Sequence, residues 1–271
     1  MFRARLVLIG TVSIALLVAL LFLRLGAVGA GMRPANDTGQ RVPVLVELFT
    51  SEGCSDCPPA DALLERLDRS QPVSGADLIV LSEHVDYWND IGWRDPYSAH
   101  EYSDRQGAYA GRFGLGSVYT PQMVIDGRFE LVGSDERRAI RAIESARKAE
   151  KIPVSVSAIR LETGNVVNLH VSAGQLPSTI AARSADVLIA MADESDESNV
   201  SRGENAGRTL KHIAVLRNLT RVGVVDHSGE FSREVSVKTN HGNAGKLRVV
   251  AIAQESTAGQ VFGVGSARLS K

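Results

Sequence analysis

The stretch from Val42 to Leu67, VPVLVELFTSEGCSDCPPADALLERL, constrains this chain more than any other. Val42, Val44, Leu45, Val46, Leu48 and Phe49 form a nearly continuous apolar run, which predicts a strand covered on both faces. Thr50, Ser51 and Gly53 interrupt it. Pro58 and Pro59 suit the first turn of a helix, where backbone N–H groups lack an intrahelical partner. Ala62, Leu63, Leu64 and Leu67 then continue at helical spacing, with Glu65, Arg66 and Asp68 on the other side. The result is a strand, a short loop and a helix, with Cys54 and Cys57 at the loop-to-helix junction.

That placement carries chemistry. A thiol at a helix N-terminus sits near the positive end of the macrodipole and near free N–H donors. Both favour thiolate, so the thiol pKa is expected below its free value of roughly 8.5. Cys54 and Cys57 are the chain's two cysteines, so no other disulfide competes within one molecule. Cys54, nearer the loop, reads as the attacking thiolate, and Cys57 as the group that resolves the mixed disulfide. Other readings stand beside this one. A structural staple closing so short a loop removes little entropy from the unfolded chain. A zinc site needs about four ligands, of which thiolates supply two, with histidine or carboxylate completing it. The pair can also be two inert buried thiols, although Gly53 and the paired prolines point to a displayed turn.

The chain has 271 residues, 44% hydrophobic and 23% charged, enough for one large or two modest domains. Lys+Arg number 30 against Asp+Glu 31, and no basic run appears beyond the leader, which argues against a nucleic-acid partner. Residues 1–30 read as a targeting segment. Arg3 and Arg5 precede an apolar run from Leu6 to Leu23, and Val28-Gly29-Ala30 offers a cleavage point. The run is also long enough to span a bilayer, so cleaved signal and N-terminal anchor (a membrane tether through residues 6–23) are both open. Either delivers the cysteines to a periplasmic or extracellular setting where disulfides persist. Residues 31–41 read as a flexible linker.

Asp77 to Asp86, DLIVLSEHVD, reads as a second buried strand, parallel to the first because a helix connects them. His84, Asp86, Tyr87 and Trp88 would then emerge at the same carboxyl-end edge as Cys54. From Tyr87 to Tyr119 come all five tyrosines and both tryptophans, with a helix from Ser98 to Phe113. This segment is expected to be a helical insertion whose aromatic rings either wall a substrate groove or fill their own core. Val118 to Phe129, VYTPQMVIDGRF, predicts a loop entering an antiparallel hairpin that turns at Asp126-Gly127. A helix follows from Ser134 to about Glu150, capped by Ser134.

Here the motifs carry a resemblance. CSDC opening a helix after a buried strand, then Thr120-Pro121 before a hairpin and a helix, resembles the thioredoxin superfamily. The segments VELFTSEGCSDCPPAD, HVDYW with GWRDPYS, VYTPQMVIDGR and GENAGRTL are similar to the bacterial domain-of-unknown-function 1223 family of exported proteins. The resemblance implies an α/β thioredoxin-like domain over residues 42–150, with a cis bond before Pro121 and a peptide groove shaped by Thr120, Pro121, Tyr87 and Trp88. Glu52 and Asp56 depart from the residues common around such cysteines, and their charges would oppose thiolate formation. With His84 they are the groups expected to modulate the pair.

From Lys151 the pattern changes to short alternating segments, around Val154–Ala158, Val166–Val171, Val187–Ala192, Val235–Val237 and Leu247–Ala253. These predict a small antiparallel β-sandwich over residues 151–271. Asp193 to Arg208, DESDESNVSRGENAGR, reads as a long polar loop whose GENAGR part can fold over the cysteine edge. His170, His212, His227 and His241 show no ligand-like spacing and receive no role. The expected function is an exported thiol–disulfide oxidoreductase acting on thiols or disulfides of exported proteins, with no cofactor and no dedicated metal site. The alternatives are Cu(I) binding or delivery by the two thiolates, with His84, and an interaction module whose thioredoxin fold has lost catalysis.

Overall fold

A computed structural model describes residues 41–162, 166–238 and 246–270. The segments expected to be a leader (1–30) and a linker (31–41, apart from Arg41) and His241 lie outside the described residues. The apolar run forms β1, Val42–Thr50, and the next forms β2, Ala76–His84, parallel to it in a register from Val42 opposite Ala76 to Thr50 opposite His84. The crossover between them is α1, Pro58–Ser70, with prolines in its first turn and Gln71 closing it in the left-handed conformation. On the other side of β1 lies a hairpin, β3 (Gln122–Ile125) and β4 (Phe129–Val132). Its turn residues Asp126 and Gly127 have φ of 52° and 61°. A Cβ on Gly127 would lie 2.0 Å from the carbonyl oxygen of Gly259, so glycine is needed there for space as well as for φ. Two further helices complete this part, α2 (His100–Phe113) and α3 (Glu136–Ala146).

Residues beyond 151 form β5 (Val154–Glu162), β6 (Val166–Ala173), β7 (Ser184–Asn199), β8 (Thr209–Asp226), β9 (Phe231–Lys238), β10 (Lys246–Gln254) and β11 (Val261–Ser270). Strands β5, β6 and β9 make a three-stranded sheet. The others join the first half in one sheet of eight, ordered β11-β10-β7-β8-β2-β1-β3-β4. The junction is the pairing of Ser82 on β2 with Val215 on β8.

The expected fold class is therefore corrected. An α/β thioredoxin-like domain with a helical insertion, followed by a small β-sandwich, does not form. The described residues are mostly β, with a mixed eight-stranded sheet and three short helices. Local periodicity signals single elements, whereas the β2–β8 pairing joins residues far apart in sequence and leaves no periodic trace. Nor is α2 an insertion. Successive side chains of a strand point to opposite faces. Val44, Val46 and Leu48 pack with Leu63, Leu64 and Leu67 of α1 and Ala139 and Ile143 of α3. Leu45 points the other way, toward Tyr102 of α2 and Val250 of β10. A separate core fills the space between the two sheets, with Val167, Leu169 and Val171 against Val187, Ile189 and Val249.

The face under α2 also holds buried charge. Arg105 of α2 donates from Nε to Glu47 Oε1 at 2.8 Å, and Tyr109 Oη donates to Glu47 Oε2 at 2.6 Å. Glu83 on β2 lies 3.6 Å from Arg105 Nε, and burial followed by the Glu47 charge pushes its carboxyl well above the usual range. A single guanidinium thus serves two buried acids. Arg105→Met is expected to lower stability by about 3–5 kcal/mol, because it strands Glu47 without its cation. Urea unfolding of the variant against the parent chain measures the loss.

Candidate functional site

Past Thr50 the chain turns sharply toward α1. Ser51 Oγ accepts from Gly53 N at 3.1 Å, and the Ser51 carbonyl accepts from Cys54 N at 3.2 Å. Cys57 occupies the N-cap of α1, where its carbonyl accepts from Ala60 N at 2.8 Å and Asp61 N at 3.1 Å. The two cysteines form a disulfide with Cα atoms 5.4 Å apart. The pair was expected on a displayed turn. Instead Cys54 is 1% exposed and Cys57 0%, while Ser55 and Asp56 between them face solvent. The backbone turn reaches the surface, and the sulfurs point inward.

Trp88 lies beside Gly53 and is bonded to the Thr-Pro loop. A Cβ on Gly53 would meet Trp88 Cβ at 3.0 Å, and Trp88 Nε1 donates to Thr120 Oγ1 at 2.8 Å. The Thr120–Pro121 bond is cis, and Pro121 lies with Ala60 of α1 around Gly133. Tyr87 is 40% exposed and donates to Gln106 Oε1 at 3.1 Å. The broader aromatic wall breaks up. Tyr102 and Tyr109 belong to the core, Tyr119 donates to Glu130, and Tyr97 and Trp93 serve a polar cluster behind the disulfide.

That cluster is the least expected part of the site. Glu52 is fully buried, with its carboxylate accepting from Trp93 Nε1 at 2.7 Å and facing His212 Nε2 at 3.2 Å. His212 Nδ1 lies 3.8 Å from Asp61 Oδ1, an ion-pair distance too long for a hydrogen bond. Thr50 Oγ1 donates to the other Asp61 oxygen at 3.3 Å. His84 packs edge-on against His212 at 4.6 Å between ring centroids, and its Nδ1 bonds Asp95 Oδ2 at 2.7 Å. Asp95 also accepts from the backbone N–H groups of Glu52 and Tyr97. Burial works against its carboxylate, but His84 and these N–H groups hold its pKa below the ordinary value. Among the described residues, Asp61 Oδ1, His84 Nε2 and His212 Nδ1 are buried without a hydrogen bond. Glu52 therefore faces a histidine and an indole, while Asp56 stays at the surface.

The second half of the chain supplies a cover. Residues Asp193–Asn199, read from sequence as loop, continue β7. The loop is shorter, from Val200 to Arg208, and its GENAGR part does fold over the cysteine edge. Asn205 Nδ2 donates to the carbonyls of Glu52 and Cys54, each at 2.9 Å, and Glu204 Oε2 accepts from Ser55 N at 3.0 Å. His212 was missed because it sits in β8, whose run TLKHIAVLRN alternates poorly and whose Ala214 takes a positive φ of 48°. Among the described residues no group of three or more His, Cys, Asp or Glu could hold a metal ion.

A family model described as "Protein of unknown function (DUF1223)" matches residues 45–254. The chain belongs to that family. Among solved structures, protein AGR_C_4864 from Agrobacterium tumefaciens is similar, at 26% identity and a TM-score of 0.62, covering 85% of this chain and 95% of that one. HBP35 of Porphyromonas gingivalis is similar in fold alone, at 12% identity and a TM-score of 0.60, covering 85% of this chain and 76% of that one. Among curated proteins nothing matches significantly.

The cluster gives the site a pH signature. Burial favours a neutral His212, but the Asp61 and Glu52 carboxylates outweigh it and raise its pKa from 6.5 to about 10. Between those values the folded state keeps a proton that the unfolded state has released. Its contribution is complete below pH 6.5 and is lost as pH rises through about 10. Stability is expected to fall across that window by up to about 1.4 kcal/mol per pH unit. Urea unfolding across the window checks this, and His212→Gln is expected to flatten the slope.

Proposed function

We propose that the Cys54–Cys57 pair is the working redox couple of an exported thiol–disulfide oxidoreductase. The observation that carries this reading is the bonded pair at the N-cap of α1. A Cys57 thiolate released there would lie at the positive end of the helix, where the dipole supports it; Pro58 and Pro59 carry no N–H, and those of Ala60 and Asp61 are on the Cys57 carbonyl. A disulfide across three positions contributes little as a staple, because it removes little chain entropy. Trp88 and Thr120, hydrogen-bonded beside Gly53, would flank an approaching polypeptide. The leader-like residues 1–30 support export, with residues 6–23 as signal core or membrane tether.

The exchange balances simply. A thiolate of the partner attacks Cys54 Sγ, the Cys54–Cys57 bond breaks, and its electron pair leaves on Cys57. A second partner thiolate then attacks the mixed disulfide, giving an oxidised partner and a reduced Cys54/Cys57 pair. Run backwards, the same steps reduce a partner disulfide, so the direction depends on the potential of the couple. Burial of both sulfurs favours a second reading, an inert pair inside an interaction module.

One experiment separates the two. Oxidation of a dithiol peptide by the purified protein is expected to follow Cys54, with at least a hundredfold loss of rate in Cys54→Ser. Cys57→Ser, incubated with the disulfide form of the peptide, is expected to accumulate a mixed disulfide between Cys54 and one peptide sulfur, the other leaving as a thiol, visible by intact mass. A parent rate equal to that of Cys54→Ser, with no trapped adduct, leaves the inert pair as the answer.

A further inference from the structure

We propose that the Val200–Arg208 segment is a strap, in which Glu204 and Asn205 hold the cysteine turn shut until the strap lifts. This deepens the exchange reading above by saying what controls access to the couple. The strap is exposed from Ser201 to Arg208 at every position except Asn205, which is 0% exposed. That single side chain is driven into the cysteine turn. A side-chain amide carries two donor hydrogens and one acceptor oxygen. Here Asn205 Nδ2 serves the carbonyls of Glu52 and Cys54, and Oδ1 accepts from Arg208 Nη1 at 2.8 Å. A buried amide in this state is fully satisfied, and withdrawing it leaves two carbonyls of the turn without these bonds.

Glu204 acts at the same turn from outside. Its carboxylate takes the N–H of Ser55, the residue that follows Cys54, and that bond holds the Glu204 carboxyl below its usual range. The bond also places a negative charge where a Cys54 thiolate would otherwise find a donor. The Glu204 charge therefore works against an open Cys54 thiolate, and the Asn205 bonds fix the backbone of the turn in its closed form. The strap is built to move as a unit. Val200 N donates to Arg208 O and Gly207 N to Val200 O, which pinches its base. Gly203 and Gly207 take φ of 77° and 80°, and Gly203 rests against Gly92 and Trp93. Its hold on the rest of the site runs mainly through polar bonds to the turn, which can open without unpacking a core.

The test measures reduction of the protein's own disulfide by excess dithiothreitol, followed by thiol labelling and mass. Each mole of dithiothreitol becomes the cyclic disulfide, and each mole of protein gains two thiols. Asn205→Ala is expected to be reduced at least tenfold faster than the parent chain. Glu204→Ala, a change at an exposed position, is expected to be reduced severalfold faster. A role in folding alone would lower stability without shifting the thiol–disulfide equilibrium. The variants are therefore also equilibrated with dithiothreitol, where a tenfold shift toward the dithiol is about 30 mV. If Asn205→Ala does not fold, Glu204→Ala decides. Parent rates and parent equilibria in the folded variants overturn the strap. Fast reduction of the variants without any peptide oxidation by the parent removes the oxidoreductase reading and leaves the strap in place.

Discussion

The site depends on one buried carboxylate. Glu52 lies past the end of β1 with no exposure, and a bare carboxylate in such a place would cost several kcal/mol. Its compensation draws the surrounding elements inward. The indole of Trp93 and the ring of His212 take the oxygens, Asp95 takes the Glu52 N–H, and Asn205 reaches the Glu52 carbonyl. The Tyr87–Tyr97 loop, β8 and the strap are thereby tied to one residue two positions before Cys54. The disulfide is buried because these elements converge on Glu52.

The same constraint explains the ion pairs behind the sulfurs. His212 stands between Glu52 and Asp61, and His84 stands edge-on to it with Asp95 behind. Asp61 is one helical turn beyond Cys57, so this charge lies along the face of α1 that carries the inner sulfur. Opening the disulfide would add charge or protons beside a cluster already balanced between carboxylates and imidazoles. Any such change must be shared with His212, which is held between two acids. A second buried group, Glu47 with Arg105 and Tyr109, fixes α2 to the opposite face by the same pairing logic.

Much of the cysteine side was legible in local pattern. β1, α1, β2, the Asp126-Gly127 hairpin and α3 follow from apolar runs, paired prolines and turn residues, with ends displaced by a residue or a few. The cap of α3 is Asp135 rather than Ser134, because Asp135 is placed to accept from Arg138 N. GENAGR lies over the turn, and Trp88 and Thr120, each read as a groove residue, are bonded to one another. What could not be read is the consequence of pairing at a distance. DESDESN looks like loop because Asp, Glu and Ser are poor strand formers, yet β8 holds it as the end of β7. His212 had no ligand-like spacing because its partners, Glu52 and Asp61, lie on the other side of the chain. The expectation of a displayed sulfur pair failed for a related reason. Composition near the cysteines shows a turn, but it does not show Asn205 arriving from 151 positions away.

That separation gives the two closures very different entropic costs. Closing the ring between Cys54 and Cys57 needs a few neighbouring residues, while docking Asn205 waits on contacts across most of the molecule. A turn closed by its own neighbours is thus pinned by a residue from the far half of the chain, so the local ring can persist where the long-range bond is lost.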